Sequence, residues 1–510
     1  LHTAQAENLA TQHTPNTFEK RRIYIVEYPT VASASGRRKP AANQDIVGAF
    51  NAGSLIINFT GHGNPRLWTH EAIFTRESDI PQLRNRDRLP LLVAATCNYA
   101  QWDDPNEQSS GEILVTSADG GAIAVITATR SVYSFDNAEL NYKFYDNLFV
   151  ADSVGDPVRL GDAFWAMKQV RYGANDQKYH LLGDPTLRLL RPRGSVTIDS
   201  INNVAIQDSV VSVPTLGVVS VSGSVRRPDS SVSSSFTGTG LIELFDSKRS
   251  VTVSEWGGFT YEQTGSVLYR GEISVASGMF TARVPVPKDV TFGSRARLTL
   301  YARGASTDAV GTTEQLVISG TDSTAAIDTT GPHITIRLHS QAFESGDVVP
   351  PDPILIVELA DENGINTSTI GIGHQLEAIL SSDQRIIDLS NDYKGNLDTY
   401  QSGTARRTLT GIPEGRQSVR VRAWDTHNNS STAEVDFEVR AGSGTDVFHV
   451  VNYPNPFSRT TAFTMQRVSS TPVDIRIRVF TVAGRMIKEL EAWSVTDQFV
   501  RIPWDGRDRE

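Results

Sequence analysis

The chain has a single cysteine, Cys97, in 510 residues. With no second thiol there is no intramolecular disulfide and no cysteine-rich metal site, so the chain is not a disulfide-stapled secreted scaffold. No stretch approaches the ~18 uninterrupted apolar residues of a membrane-crossing helix. There is no long basic run and the formal charge is −10, which argues against nucleic acid as a main partner. No EF-hand spacing occurs. No signal-peptide pattern stands at Leu1, so the expectation is either a cytoplasmic chain or a trimmed mature piece.

What is present centres on two short apolar runs. One reads Leu55-Ile56-Ile57-Asn58-Phe59-Thr60-Gly61-His62-Gly63, the other Leu91-Leu92-Val93-Ala94-Ala95-Thr96-Cys97-Asn98. Both have the texture of fully buried parallel strands. His62 follows the first and Cys97 the second. The carboxyl ends of strands in an open parallel sheet form the crevice where ligands bind. As neighbours, the two strands bring His62 and Cys97 face to face, and a Cys activated by a nearby His is the simplest cysteine nucleophile. A lone cysteine is ordinarily a small buried apolar residue; the Gly-His-Gly at the end of the preceding strand reverses those odds. Gly61 allows a sharp turn off the strand. Gly63 allows a backbone N–H to approach a substrate carbonyl. The N–H groups of Gly63 and Cys97 are assigned to an oxyanion hole.

At 510 residues the chain is expected to hold three or four domains. Residues 2–13 read as a helix and 22–28 as a strand. Residues 43–50 read as a short helix capped by Asn43 and stopped by Gly53. A short helix is expected over 79–83. Ser109-Ser110-Gly111-Glu112 opens a helix with a capping-box pattern. A third buried strand spans 122–127, helices 137–149 and 160–171, and a final strand 186–190. Strands alternating with helices imply a parallel sheet covered on both faces.

After Pro192 helical periods disappear and alternation takes over, as in Val219 and Val221 or Ala296, Leu298, Leu300 and Ala302. Short strands separated by turn signals imply β-sandwich modules. A Ser/Thr/Asp-rich linker covers 320–330, and a second β module begins at Pro332-His333-Ile334-Thr335-Ile336. Ala441-Gly442-Ser443-Gly444 is a second linker, and the last module, ending after Asp505-Gly506, reads as truncated.

Thr60-Gly61-His62-Gly63, Ala95-Thr96-Cys97-Asn98 and His180-Leu181-Leu182-Gly183-Asp184-Pro185 together resemble the gingipain-type cysteine peptidases. The resemblance covers 1–192 and implies a caspase-like α/β fold with a His–Cys dyad. It gives His62 as general base and acid, Cys97 as nucleophile, and Gly63 and Cys97 as oxyanion donors. That domain ordinarily starts earlier, with a βα unit able to supply an acid behind the His, so the third catalytic member is not placed. Tyr453-Pro454-Asn455-Pro456-Phe457 with Val479-Phe480-Thr481-Val482-Ala483-Gly484-Arg485 is similar to the C-terminal sorting domain of type IX secretion cargo. Asp361-Glu362-Asn363-Gly364-Ile365 with Ala423-Trp424-Asp425-Thr426-His427-Asn428-Asn429 resembles the Ig-like module of the type IX sortase branch of the family. The implied architecture is an α/β caspase-like domain (1–192), a β-sandwich (193–325), an Ig-like β-sandwich (326–441) and a sorting-type domain (442–510). The branch implies a cell-surface enzyme at the extracellular face of the outer membrane. Its substrates are cargo proteins with C-terminal sorting domains. Its partners are the β-barrel protein PorV with PorQ and PorZ, and its acceptor is anionic lipopolysaccharide.

The expected chemistry is acyl transfer through a thioester on Cys97, with His62 protonating the departing amine. These residues leave hydrolysis and transpeptidation both open. Trp68, Trp102, Arg130 and Tyr133 follow strand ends and are candidates for the substrate pocket; aromatics there are as often simple packing. Asp103, Asp104 and Glu107 read as a solvated loop or as a contact for a cationic side chain. His70 reads as a surface histidine, and His180 as packing beside the final strand. No cofactor is expected and no metal site is assigned, although Asp361, Glu362, Asn363 and Asp425 carry oxygens suited to a structural calcium ion; such clusters usually form turns. Three rival readings are a secreted gingipain-like endopeptidase, a non-catalytic surface adhesin and a cytoplasmic caspase-like enzyme. Tandem Ser/Thr-rich sandwiches fit the last poorly.

Overall fold

Three five-residue apolar strands, Ile56–Thr60 (β1), Leu91–Ala95 (β2) and Ala124–Ala128 (β3), pair in parallel in that order. The computed structural model describes residues 1–510 except 35, 153–155, 207–208, 254–257, 369–372, 442–446, 468–470 and 509–510. Residues 442–444 of the second expected linker thus lie outside the described residues. The chain divides into two units: Leu1–Gly194 with Arg249–Gln263, and Ser195–Lys248 with Thr264–Glu510.

In the first unit every residue of β2 and β3 is buried. The reason is two-sided cover. Leu91, Val93, Ala124 and Ile126 pack on one face with Leu140, Phe144 and Leu148 of helix Ser134–Leu148 and with Leu160 and Met167 of helix Leu160–Val170. Leu92, Ala94 and Val125 pack on the other with Ile46 and Phe50 of helix Pro40–Ala52 and Leu114 of helix Ser110–Thr116. Each large apolar side chain so buried stabilises by about 1.5–3 kcal/mol. An unbroken apolar run is what such strands require. The capping box at Ser109 forms as read: the Ser109 N–H donates to Glu112 Oε2 at 2.8 Å, and the Ser109 side chain takes part in the reciprocal bond.

Four expectations are corrected. Residues 22–28 form no strand; Ile25–Glu27 is a 3₁₀ turn. Side chains pin this segment instead, Arg22 Nε to Glu7 at 2.7 Å and Tyr24 OH to Glu7 at 2.7 Å. The last strand of the sheet is Tyr179–Gly183 (β4), antiparallel to β3, so the sheet is mixed; residues 186–190 make only a bridge, Arg159 to Arg188. His180 therefore lies within the strand, opposite Thr127, and not beside it. Asn43 is inside its helix, which starts at Pro40, and its amide donates to Ile73 O at 3.0 Å. Gly53 does end that helix, with φ +88°.

Among its described residues the second unit is built of β-strands, apart from the 3₁₀ turn Ser390–Asp392. Its largest sheet runs Met279–Pro285, Val218–Arg226, Gly194–Ile201, Asp308–Thr321, Gly293–Gly304, Gly238–Phe245 and Val267–Val275. It continues through Tyr393–Gly395, Ser402–Thr408, Ile354–Ala360 and His333–Leu338. One register pair, Gly271 with Gly395, joins the two halves; glycine on both strands leaves room for the approach. Separate apolar clusters form around Leu298 and Leu300, around Val419 and Val421, and around Met465, Val500 and Ile502. The hairpin Arg249–Val253 with Phe259–Gln263 belongs to the first unit, where Tyr261 meets Tyr24 edge to face at 5.0 Å.

Carboxylates meet where the 320–330 segment crosses the second β module. Asn363 Nδ2 donates to Asp328 Oδ2 at 2.7 Å and Asn429 Nδ2 to Asp425 Oδ2 at 2.7 Å. Burial first, then the nearby Asp425 and Asp328 charges, push the Asp361 carboxyl up to about 6. A carboxyl raised in the folded state contributes stability below its unfolded value near 4 and loses it as pH rises through about 6. Without divalent cations, Asp361→Asn should match the wild-type thermal midpoint at pH 4 and exceed it progressively towards pH 7. A difference that stays flat with pH, read by scanning calorimetry, would count against this coupling.

Candidate active site

The register of β1 and β2 sets the geometry of the site. Thr60 pairs with Ala95, and His62 and Cys97 each lie two residues further on. Both loops therefore leave the sheet at one level, and Gly61 N–H still reaches Ala95 O at 3.4 Å.

The His62 loop doubles back at once. Gly63 faces Trp68 in an isolated bridge, flanked by Thr69 N–H to His62 O at 2.9 Å and Asn64 N–H to Leu67 O at 3.1 Å. Those flanking bonds leave the Gly63 N–H out of the ladder. A Cβ on Gly63 would sit 2.6 Å from Thr96 Oγ1 and 3.1 Å from Leu67 O. Glycine is thus required by close approach to the strand that leads into Cys97. Gly61 is similarly confined, its Cβ position lying 2.8 Å from the Phe59 ring.

Cys97 is half-buried. Its sulfur accepts the Val132 N–H at 3.4 Å and, as a thiol, donates to Val132 O at 3.5 Å. Asn98 follows in the left-handed region, φ +51°, which Asn tolerates better than most residues. Its N–H donates to Arg130 O at 3.3 Å, tying the Cys97 loop to the loop after β3.

The His62 ring is exposed but not isolated. His2 meets it edge to face, centroids 5.2 Å apart at 83°, and His70 lies 6.2 Å away. Burial, then the His62 charge, hold His2 below the usual imidazole range.

The pocket candidates separate. Trp68 is corrected: at 2% exposure it is core, stacked on Phe59 at 4.3 Å, and lines no crevice. Trp102 is 54% exposed and meets His180 edge to face at 6.1 Å. Burial first, then the Lys168 cation, lower His180. Tyr133 is 73% exposed, its N–H bonded to Asn175 Oδ1 at 2.7 Å. Arg130 binds Asp103, Nη1 to Oδ1 at 2.9 Å, and this pairing holds Asp103 below the usual carboxylate range. Glu107 is paired with Arg66 and with Arg76 at 2.9 Å, and Asp104 accepts the Asn106 N–H at 2.9 Å. The acidic loop is therefore held mostly by its own arginines and turn.

In the second unit, Asp425 gathers with Asp328 and His427, their ligand atoms within 4.8 Å of one another. Asp361 lies within range of both carboxylates, while Glu362 is exposed and uses its backbone O to accept from Gln401 at 2.8 Å. The roles of Val132, His2 and Asp328 were invisible in the sequence, because each meets its partner only through the fold. Among the described residues no helix is long and apolar enough to cross a membrane.

The segment that carries the site is similar to a known peptidase family. Residues 2–190 match the model of peptidase family C25, the gingipain family of cysteine peptidases. The match covers the N-terminal segment of the chain, which carries both His62 and Cys97. Among solved structures, dimeric latent PorU from Porphyromonas gingivalis is similar at 23% identity, over 77% of this chain and 38% of that one, with a TM-score of 0.35. The Arg-specific cysteine proteinase gingipain R aligns at 16% identity over 54% of this chain and 56% of that one, TM-score 0.27. The complex of Porphyromonas gingivalis RgpB pro- and mature domains aligns at 16% identity over 54% of this chain and 57% of that one, TM-score 0.26. The chain thus spans 38% of the PorU chain and just over half of the other two. No curated protein matches. The α/β sheet of the first unit and the β modules of the second agree with the expected fold class.

Gly63→Ala tests the close approach of the His62 loop to Thr96. It should slow alkylation of Cys97 by on the order of tenfold or more, because the His62 loop must move off Thr96. Folding should be retained by circular dichroism, and a wild-type alkylation rate would rule the constraint out.

Proposed function

We propose that the chain is a cysteine peptidase acting through His62 and Cys97. The carrying observation is the shared register of β1 and β2, which launches both residues from adjacent strand ends of a C25 domain. In the proposed cycle the Cys97 proton passes to His62, and the thiolate attacks the substrate carbonyl. Gly63 and Cys97 N–H groups stabilise the oxyanion. His62 returns the proton to the departing amine and a thioester remains on Cys97. Water or an amine then attacks the thioester.

The finer reading is a type IX secretion sortase. It cleaves sorting domains from cargo at the extracellular face of the outer membrane and passes the cargo to anionic lipopolysaccharide, in company with PorV, PorQ and PorZ. Its support is the likeness of the Tyr453-Pro454-Asn455-Pro456-Phe457 segment and the 479–485 segment to sorting domains. The second reading, a secreted endopeptidase, is favoured by one feature: His62 is open to solvent, so water has access to the thioester.

Mass spectrometry of a model cargo, incubated with and without an added amine, separates these readings. Cargo shortened at its sorting domain and carrying the amine indicates a sortase. A free carboxylate under both conditions indicates a protease. Cys97→Ala and His62→Ala should each lower cleavage by about 10³-fold or more with folding unchanged. Unfolding of either variant would mean that these residues are structural.

A structural calcium ion is proposed for the second unit, at Asp361, Asn363 and Asp425 with Asp328 joining them. Its support is the gathering of carboxyl oxygens, whose mutual repulsion a hard cation relieves. Added calcium should then raise the thermal midpoint at pH 7 in the wild type and leave Asp425→Asn unmoved. No shift in the wild type removes the proposal.

A further inference from the structure

His62 is exposed, and its backbone is held through its carbonyl oxygen by Thr69. An exposed imidazole is free to change rotamer, and that freedom lowers the fraction of time spent in a reactive geometry. His2 supplies a constraint. It begins helix His2–Asn8, and its polar anchor Ser134 stands 132 places away in sequence, at the start of the helix after β3. The Ser134 hydroxyl donates to Gln5 Oε1 at 3.0 Å and meets His2 Nδ1 at 3.3 Å. With its proton on Gln5, that hydroxyl accepts from His2 Nδ1–H and so sets the tautomer and plane of the ring. Gln5 is itself buried and locked, its side-chain amide donating to Ser134 O at 3.2 Å and its backbone carbonyl accepting from Tyr142 OH at 3.1 Å. The ring so fixed packs against His62 edge to face at 5.2 Å. His70, tilted and 6.2 Å away, is exposed and makes a looser contact.

We infer that His2 is a positioning residue, whose ring, anchored by Ser134 and Gln5, holds the His62 imidazole in the orientation that serves Cys97. The inference rests on the reading of His62 and Cys97 as a working pair. The contact acts by shape: an aromatic ring at this angle restricts rotation of its neighbour without exchanging a proton with it.

The sole cysteine makes the test direct, because alkylation of the full chain by iodoacetamide reports on Cys97 alone. The His62→Ala variant defines how much of the wild-type rate at pH 7 depends on His62. His2→Ala should lose most of that part, on the order of tenfold. His2→Phe, which keeps an aromatic ring and removes both nitrogens, should recover it, with the same thermal midpoint in all three variants. A wild-type rate in His2→Ala would overturn the inference, as would a rate in His2→Phe as low as in His2→Ala. If His62→Ala alkylates like the wild type, the pair itself fails and this inference falls with it. If His62→Ala is slow while His2→Ala is not, the pair stands and only the role of His2 is lost.

Discussion

Everything at the candidate site depends on the parallel pairing of β1 with β2. A parallel ladder advances both strands together, so Thr60 opposite Ala95 puts His62 and Cys97 at equal distance beyond the sheet. A slip of one residue would separate the pair. Leu91 and Val93 pack against one layer of helices and Leu92 and Ala94 against the other, so each side chain has its own packing partners.

Around that ladder the site is built from backbone more than from side chains. Gly63 passes over Thr96 with no room for a Cβ. Val132 holds the sulfur through its peptide N–H, and Asn98 turns the chain in a left-handed conformation before bonding to Arg130 O. These contacts cost little reorganisation when charge develops, because their donors are already fixed. The charged side chains nearby mostly satisfy one another: Arg130 with Asp103, and Arg66 and Arg76 with Glu107. Such exposed pairs contribute little to stability. They shape the rim and neutralise it.

The second unit solves a different problem. Its strands come from two modules, yet one sheet spans both through a single glycine pair at Gly271 and Gly395. Polar side chains complete the junction. Asp289 accepts from Asn428 at 2.8 Å and pairs with His374, which packs on Trp424 at 4.3 Å. Asp328, Asp361 and Asp425 crowd the neighbouring turn. Burying like charges together is unfavourable, and amide donors from Asn363 and Asn429 offset part of that cost.

By itself the sequence determined the strands that carry His62 and Cys97, the capping box at Ser109, the change to all-β texture after Pro192 and the family resemblance of the first domain. These features are local: apolar runs, turn residues and short motifs act within a few residues of themselves. Tertiary structure decided the rest. It made Trp68 core where a strand-end position suggested a pocket, because Phe59 and Trp68 stack face to face. It held residues 22–28 out of the strand ladder through Glu7, and it reversed the last strand. It also brought His2 to His62, Val132 to Cys97 and Asp328 to Asp425. No local pattern encodes such pairings, because each is fixed by the packing of elements distant along the chain.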